Sequence, residues 1–162
     1  MICAIFAVDD KGAIGVDGGL PWPPNKDDMK WFREKTIGAA VAMGKRTWDS
    51  VDMPKPLPGR ANIVFTNEWF ELDSVDQVRG NACDALLSYQ KDDKKTDIYV
   101  IGGANILMQC KPVLQKAFIT RIPGEYRADT FIDLEAFLEG FVLVEKTNLG
   151  SCVVEEYHAT TA

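Results

Sequence analysis

Two adjacent acids, Asp27 and Asp28, open the segment KDDMKWFREKT, whose pattern predicts a helix. At about 100° per residue, Asp27 falls on a charged face beside Lys30, so we expect it in solvent. Asp28 falls between Trp31 and Phe32, on the apolar side. A carboxyl group among aromatic rings has a raised pKa, although a helix N-terminus lowers it. Such a group can pair with an amidine-like ligand face and help to deliver a proton.

Helix capping is the alternative role for Asp28. Asn25 stands at the expected N-cap, and Asp28 follows three residues later, as in a capping box. An acid in the first turn also complements the helix dipole. This segment by itself leaves both roles open.

Two glycine turns follow predicted strands. In AVAMGKRTW a strand ends at Gly44 and the basic residues 45–46 open a helix, against the usual dipole preference. A bound phosphate would resolve that conflict, whereas the alternative is a solvated basic turn. In IYVIGGAN, Gly102 and Gly103 would let a ligand approach the backbone at a helix start. The G-x-G-x-x-G fingerprint is missing, but two such turns in one sheet suggest a dinucleotide.

Arg60 ends the rigid loop Leu57-Pro58-Gly59-Arg60. Its guanidinium is available for a two-pronged contact with a carboxylate. An ordinary surface arginine is the alternative.

Composition limits the class of protein. The chain has 162 residues, 46% of them hydrophobic, which suits one globular domain over residues 1–162. A net charge of −6 argues against a nucleic-acid binder. No apolar run is long enough to span a membrane, and the apolar start ICAIFAV resembles a buried strand more than a signal peptide. We therefore expect a cytoplasmic protein.

Cysteine and histidine usage argues against a metal site. The four cysteines are scattered along the chain, and we expect them to be reduced thiols without a role in a site. A single histidine cannot build a zinc centre. We expect no bound metal.

Short apolar runs alternate with helical ones, which predicts an α/β fold with a mainly parallel, twisted sheet and flanking helices. The turn at Asn148-Leu149-Gly150 predicts a C-terminal antiparallel hairpin. The glycine-rich loop 9–24 is the best candidate for a mobile lid. The predicted strands cover 2–8, 39–44, 61–66, 97–101 and 116–122, and the predicted helices cover 26–36, a short segment after 44, 82–89 and a segment after 103.

Taken together, these motifs resemble the dihydrofolate reductase family almost from end to end. They occur in the family's order: Ala7-Val8-Asp9, Ile14-Gly15, Leu20-Pro21-Trp22-Pro23-Pro24, Asp28 with Met29 and Phe32, Met43-Gly44-Lys45-Arg46-Thr47-Trp48 with Ser50, Leu57-Pro58-Gly59-Arg60, Val100-Ile101-Gly102-Gly103, Thr120, and Asp129-Thr130-Phe131. The family's acid lies six residues after the tryptophan in members with Trp-Pro-Pro. Counting from Trp22 gives Asp28, the residue that the helical pattern selects.

The resemblance implies reduction of 7,8-dihydrofolate to tetrahydrofolate by NADPH, in one-carbon and thymidylate metabolism. It implies a monomer that binds dihydrofolate and antifolate-type inhibitors, with no nucleic-acid or membrane partner. Asp28, Trp22 and Thr120 would be catalytic. The substrate would be bound by Ile5, Asp28, Met29, Phe32, Val51, Leu57, Arg60, Ile101 and Thr120. The cofactor would be bound by Ala7, Ile14, Gly15, Gly18, Gly19, Leu20, Gly44, Lys45, Arg46, Thr47, Thr66, Asn67, Gly102, Gly103, Ala104, Asn105 and Ile106.

Three positions depart from the family pattern. Leu107 stands where an aromatic residue usually lies beside the nicotinamide and pterin. Asn105 replaces a basic residue that is common in bacterial members. Phe6 is bulkier than expected in the first strand, which would lie beside the pterin, unless its side chain faces away. Two alternatives remain at this stage: a same-fold NADPH reductase of a riboflavin precursor, and a protein that binds pterin or nucleotide without catalysis.

Overall fold

The computed structural model describes residues 1–67, 75–78 and 80–160. Strands and helices alternate along most of the chain. The strands are β1 Ile2–Val8, β2 Ala13–Gly15, β3 Ala40–Gly44, β4 Ala61–Phe65, β5 Val75–Val78, β6 Ile98–Gly102, β7 Lys116–Arg121, β8 Thr130–Phe131, β9 Phe141–Asn148 and β10 Val153–Ala159. The helices are α1 Lys26–Thr36, α2 Lys45–Trp48, α3 Ala82–Asp92, α4 Ala104–Cys110 and α5 Leu134–Leu138, and a short 3-10 helix covers Lys111–Val113.

Eight strands form one sheet in the order β5-β4-β3-β6-β1-β7-β10-β9. Neighbouring strands from β5 to β7 run parallel, and β10 pairs antiparallel with both β7 and β9. The small strands β2 and β8 form a separate antiparallel pair. The mainly parallel sheet and the C-terminal hairpin predicted from the sequence are confirmed.

The alternation of side chains along the strands divides the core into two layers. On β1, Ile5 faces an apolar cluster that includes Trp31 and Phe32 of α1. The next residue, Phe6, faces the opposite cluster and packs edge-on against Phe137 of α5, with ring centroids 5.3 Å apart. Phe6 therefore faces away from the first layer and does not crowd the layer where the pterin is expected.

Helix α1 begins and ends where its sequence indicates. Asn25 is the N-cap, and its side-chain oxygen accepts the Asp28 backbone N–H at 3.0 Å. Arg33 and Lys35 in the last turn complement the negative end of the helix dipole. The capping role predicted for Asn25 is confirmed.

Several short elements were not predicted, namely β2, β5, β8 and α5. Each has two to five residues, too few for a periodic pattern to stand out. Within the described residues, no helix has the length and apolar character needed to cross a membrane.

Candidate active site

The Asp28 carboxylate lies where helix α1 meets strand β7. Its backbone N–H is already bound by Asn25, and its side chain accepts a hydrogen bond from the Thr120 hydroxyl on β7. Burial raises the pKa of Asp28, and the bond from Thr120 opposes that rise. The main chain of Asp28 thus completes the helix cap while its side chain faces the sheet. The Asp28 side chain is therefore directed toward Thr120, and its functional role stays a prediction.

Trp22 lies in a small apolar cluster with Ile122 and Cys152. It is only 5% exposed, and its indole N–H finds no acceptor among the residues that the structure describes. Burial raises the pKa of the Cys152 thiol, and the charge of Asp28 raises it further. The indole N–H is therefore a buried donor that is available to a polar ligand atom.

Asp27 lies at the surface, as expected, but it also has hydrogen-bond partners on a distant segment. Its carboxylate accepts the Ser151 hydroxyl at 2.6 Å and the Ser151 backbone N–H at 3.2 Å. The same hydroxyl lies 3.1 Å from the side-chain oxygen of Asn25. These bonds from Ser151 lower the pKa of Asp27. The turn between β9 and β10 folds over the start of α1, and a helical wheel cannot show a partner so distant in sequence.

An apolar wall adjoins Asp28. Ile5, Phe32, Leu57 and Ile101 belong to one cluster, together with buried Met43, Trp48 and Tyr99. At its rim, Met29 is 56% and Val51 79% exposed. The structure thus groups several of the expected substrate contacts in one cluster. The exposed side chains of Met29 and Val51 are open to a ligand.

Arg60 is fixed at the far end of this wall. Its Nε donates to the Pro58 carbonyl at 2.9 Å, and another guanidinium nitrogen donates to the Thr36 hydroxyl at 3.0 Å. Burial and the nearby positive charge of Arg33 both lower the pKa of Arg60. Two cations meeting at a partly buried position would be stabilised by an anion.

Buried Asn62, which was not singled out from the sequence, shapes the loop that carries Arg60. Its side chain accepts the Leu57 N–H at 3.0 Å and donates to the carbonyls of Leu57 and Arg60 at 3.1 Å and 3.0 Å. A buried amide with these bonds fixes both ends of the Leu57–Arg60 turn. The available signal was a polar residue inside the otherwise apolar strand ANIVF.

The two glycine turns lie side by side because β3 and β6 are neighbours. A Cβ on Gly102 or Gly103 would lie 3.4 Å or 3.7 Å from the Thr47 hydroxyl, and one on Gly44 would lie 2.9 Å from a carbon of Ile106. The glycines thus lie against the side chains of Thr47 and Ile106, and without side chains of their own they leave the starts of α2 and α4 open to a ligand. Lys45 is the first residue of α2, and its ammonium lies 2.7 Å from both carboxylate oxygens of Asp49.

The remaining expected cofactor residues lie around this edge or on the loop that precedes α1. Ala7 packs near Trp22, and Ile14 packs against the cluster behind the sheet. Gly15 pairs with Thr130 in the small sheet. Leu20 and Gly18 are exposed, Gly19 and Ala104 are half-buried, Thr66 is half-buried, and Arg46, Asn67 and Asn105 are exposed.

A partly buried acid and two glycine turns at strand ends of one mainly parallel sheet fit the class of α/β enzymes that bind a nucleotide cofactor. The sequence profile of the dihydrofolate reductase family matches residues 1–159. The chain belongs to the dihydrofolate reductase family and is an oxidoreductase.

Relatives and a solved structure agree with this assignment. The chain is 38% identical to the dihydrofolate reductase of Enterococcus faecium over 148 residues, covering 90% of this chain and 85% of the relative. It is 35% identical to the type 8 enzyme of Escherichia coli over 143 residues, covering 85% and 83% of the two chains. A solved dihydrofolate reductase from Enterococcus faecalis, complexed with NADP(H) and RAB-propyl, is similar with a TM-score of 0.83 at 30% identity, covering 99% of this chain and 97% of that one.

Proposed function

We propose that this chain reduces 7,8-dihydrofolate to tetrahydrofolate with NADPH, using Asp28 to hold the pterin and favour protonation at its N5. The observation that carries this assignment is the Asp28 carboxylate, seated between helix α1 and the Thr120 hydroxyl beside an apolar wall. The relatives of this chain are named dihydrofolate reductases, and the similar solved structure contains NADP(H). Nothing in the geometry favours the riboflavin-precursor alternative.

Asp28 can hold the substrate in one orientation. A carboxylate accepts two parallel hydrogen bonds, which matches the 2-amino group and N3 of the pterin ring. Burial favours the neutral form of the acid, so a proton can reside on it closer to neutral pH than on a free aspartate. Thr120 donates to the same carboxylate and Trp22 offers a buried N–H nearby, so both help to orient the acid and a proton on its way to N5.

The rest of the substrate follows the apolar wall. Phe32, Leu57 and Ile101 would pack against its rings, with Ile5 near the pterin and Met29 and Val51 at the rim. Arg60, held by Pro58 and Thr36, would bind the glutamate α-carboxylate. The separation between an acid at one end and a cation at the other suits a ligand with a basic ring and an anionic tail.

NADPH supplies the hydride that passes to C6 of the pterin. The backbone at Gly102, Gly103 and Ala104 and the side chain of Thr47 fit its pyrophosphate, because side chains at the glycines would fill the space beside Thr47. Ala7, Ile14, Gly15 and the loop Gly18–Leu20 would border the nicotinamide. Lys45, Arg46, Thr66, Asn67 and Asn105 would lie toward the 2′-phosphate, where the Lys45–Asp49 pair keeps the ammonium in a fixed position.

We further propose a cytoplasmic monomer that binds antifolate-type inhibitors and neither nucleic acid nor membranes. All four cysteines are free thiols, as expected in a reducing compartment. The net charge of −6 disfavours binding to a polyanion. Sedimentation of the purified chain would test the monomer, and a dimer would contradict it.

The reaction can be tested by following NADPH absorbance with purified chain and 7,8-dihydrofolate. We expect turnover with dihydrofolate and none with a pyrimidine precursor of riboflavin. Turnover with the riboflavin precursor alone would assign the site to the other reductase. Tight pterin binding without oxidation of NADPH would assign it to a binding protein.

A further inference from the structure

Two buried polar side chains, Thr36 at the end of α1 and Asn62 on β4, both bond to Arg60. Thr36 is 0% exposed and Asn62 is 2% exposed. Burying a hydroxyl or an amide costs free energy unless its hydrogen bonds are formed inside the protein. Thr36 bonds to the guanidinium of Arg60, and Asn62 bonds to the backbone carbonyl. Two buried polar groups from different elements thus converge on one arginine.

The Thr36 hydroxyl serves as an acceptor for Arg60. Its single proton is donated to the Phe32 carbonyl at 2.8 Å, one turn earlier in α1. The lone pairs of the hydroxyl oxygen are then available to the Arg60 guanidinium, which donates to this oxygen at 3.0 Å. The guanidinium carbon also lies 5.9 Å from the centroid of the Phe32 ring. The last two turns of α1 therefore set where the charged end of Arg60 lies.

The Asn62 amide holds the backbone of the same arginine. It accepts the Leu57 N–H at 3.0 Å and donates to the carbonyls of Leu57 and Arg60 at 3.1 Å and 3.0 Å. The Arg60 side chain in turn folds back on this turn, because its Nε donates to the Pro58 carbonyl at 2.9 Å. A shift of the turn would therefore move the Pro58 acceptor and the guanidinium together.

These bonds leave part of the Arg60 guanidinium available to a ligand. A guanidinium has more N–H donors than the bonds to Pro58 and Thr36 use. Both acceptors are uncharged oxygen atoms, so neither of them neutralises the arginine. Burial lowers the pKa of Arg60, and the positive charge of Arg33 lowers it further. A fixed guanidinium with unused N–H groups and a second cation nearby suits a carboxylate.

We propose that Thr36 and Asn62 are positioning residues that hold Arg60 in place for the α-carboxylate of the substrate tail and thereby determine the preference for a charged tail. This inference rests on the proposed function, in which Arg60 binds that carboxylate. A freely rotating arginine loses conformational entropy when it binds a ligand, and this loss weakens affinity. The buried hydroxyl and the buried amide fix the arginine before binding, so less affinity is lost.

Loss of either support should weaken binding of the tail carboxylate and leave binding of the ring unchanged. Thr36→Val keeps the branched shape of the side chain but removes the acceptor for the guanidinium, and Asn62→Ala releases the turn. The measured quantity is the preference for dihydrofolate over its α-carboxamide, a neutral ligand of nearly the same shape. Each substitution should reduce this preference by about threefold to tenfold. When Arg60→Ala is already present, neither should change it further, because the positioned group is absent.

The affinity of both ligands is measured by titration of the intrinsic tryptophan fluorescence, which requires no turnover. The control for Asn62→Ala is Ile63→Val, at a position 2% exposed on the same strand that packs in the other core layer. The control for Thr36→Val is Thr147→Val, at an exposed position on β9. Both controls should keep the preference of the unsubstituted chain. If Asn62→Ala does not fold, Thr36→Val tests the inference by itself.

A second readout follows Arg60 directly. The NMR signal of its Nε–H should exchange faster with solvent in Thr36→Val and Asn62→Ala, because the bond to Pro58 is populated less. Equal weakening of dihydrofolate and its α-carboxamide would overturn the inference, since it would show only a general loss of structure. An unchanged preference in Thr36→Val, an equal change in the controls or a persisting effect in the presence of Arg60→Ala would also overturn it.

Failure of the proposed function gives a different result. The unsubstituted chain would then not oxidise NADPH with dihydrofolate. An unsubstituted chain that turns over dihydrofolate but binds the α-carboxamide equally well would keep the proposed reaction and overturn the role of Thr36 and Asn62.

Discussion

The Asp28 side chain must change its protonation state easily for the proposed reaction to proceed near neutral pH. Asp28→Asn keeps the shape of the side chain but removes the titrating group, so kcat/KM for dihydrofolate should fall by about 10²–10⁴. In the unsubstituted chain, activity should decline as pH rises through the pKa of Asp28, which burial places above that of a free aspartate. Steady-state NADPH oxidation over a range of pH measures both effects. Asp28→Asn retaining more than a tenth of the activity would show that another group delivers the proton.

Arg60 should affect the tail of the substrate and not its ring. Arg60→Ala removes a charge-assisted contact with the glutamate carboxylate, which typically contributes about 1.5–3 kcal/mol, or a tenfold to hundredfold change in affinity. Its affinity for dihydrofolate should fall by that factor, whereas affinity for a dihydropterin without the glutamate should stay within twofold. Titration of the intrinsic tryptophan fluorescence measures both ligands. Equal losses for the two ligands would assign Arg60 to the stability of the Leu57–Arg60 turn.

Single residues were predictable from the sequence where a local pattern marked them. Asp28 interrupts an apolar helix face, so a short window was enough to make it a candidate, whereas Arg60 was selected through the family resemblance. Asp52 and Ser151 carry no such signal, because their partners are Leu20 and Asp27 on distant segments. Contacts of this kind depend on which segments the fold brings together, and only the folded chain reveals them.

At the scale of elements, the β9–β10 turn and the start of α1 form one support for the acid. Ser151 binds Asp27 and Asn25, while β10 pairs with β7 so that Val154 lies opposite Thr120. The hairpin therefore contacts both elements between which Asp28 is held. Its position should influence catalysis although it does not touch the reacting atoms.

Ser151→Ala should lower kcat more than it raises KM for dihydrofolate, because it loosens the acid without removing any substrate contact. It removes the hydroxyl bonds at 2.6 Å and 3.1 Å and leaves the backbone bond. The hydroxyl has one proton to share between the two acceptor oxygens, so we expect a kcat lower by roughly threefold. Ser88→Ala on the exposed side of α3 is the control for activity. A change in KM alone would show that Ser151 acts on substrate binding and not on the position of Asp28.

The order and type of the main helices and strands could be predicted from the sequence more completely than the residues at which they begin and end. Helix α1 has a cap at Asn25 and a clear apolar face, and its predicted span of 26–36 agrees with the structure. Helix α3 continues three residues beyond its predicted end, to Asp92, and β2, β8 and α5 were not predicted. Strands of two or three residues are stabilised by their partners in the fold, and their own sequence carries little preference.

At the scale of the whole molecule, the sheet separates the layer of Ile5 from a second core layer that contains Leu107. This residue is 0% exposed and lies in the cluster with Phe6 and Phe137, behind the layer of Ile5. Leu107→Tyr should therefore overpack that layer and reduce the free energy of unfolding by about 1–3 kcal/mol. Urea unfolding measures the loss, and Leu87→Tyr, at a 50% exposed position on α3, is the matched control. Unchanged stability together with faster hydride transfer would show that Leu107 lies beside the cofactor and limits the rate of hydride transfer.

The last prediction contrasts two aspartates whose pKa values move in opposite directions on folding. Burial raises the pKa of Asp9, but backbone N–H groups of Ala13, Tyr126 and Lys11, at 3.0, 3.0 and 2.8 Å, outweigh it and leave the pKa lowered. Asp9 therefore stabilises the fold above the unfolded pKa, and that stability is lost as pH falls through the folded pKa. For Asp28 the folded pKa is raised, so its ionisation costs stability as pH rises through the unfolded and then the folded pKa.

The same substitution should therefore have opposite effects at the two positions. At pH 7, Asp9→Asn should lower the free energy of unfolding by roughly 1–3 kcal/mol, the usual effect of removing a buried charged acceptor. Asp28→Asn should raise it, although it abolishes activity, because the neutral amide avoids burying a charge. Each variant is the control for the other, since both remove one negative charge and keep the side-chain shape. Thermal unfolding should show the Asp28 effect shrinking as pH falls toward 3.8, the ordinary pKa of aspartate, and the Asp9 effect shrinking only as pH falls below 3.8. A loss of stability in both variants at pH 7 would mean that Asp28 makes a net stabilising contact, and the proposed conflict between stability and catalysis at this acid would be wrong.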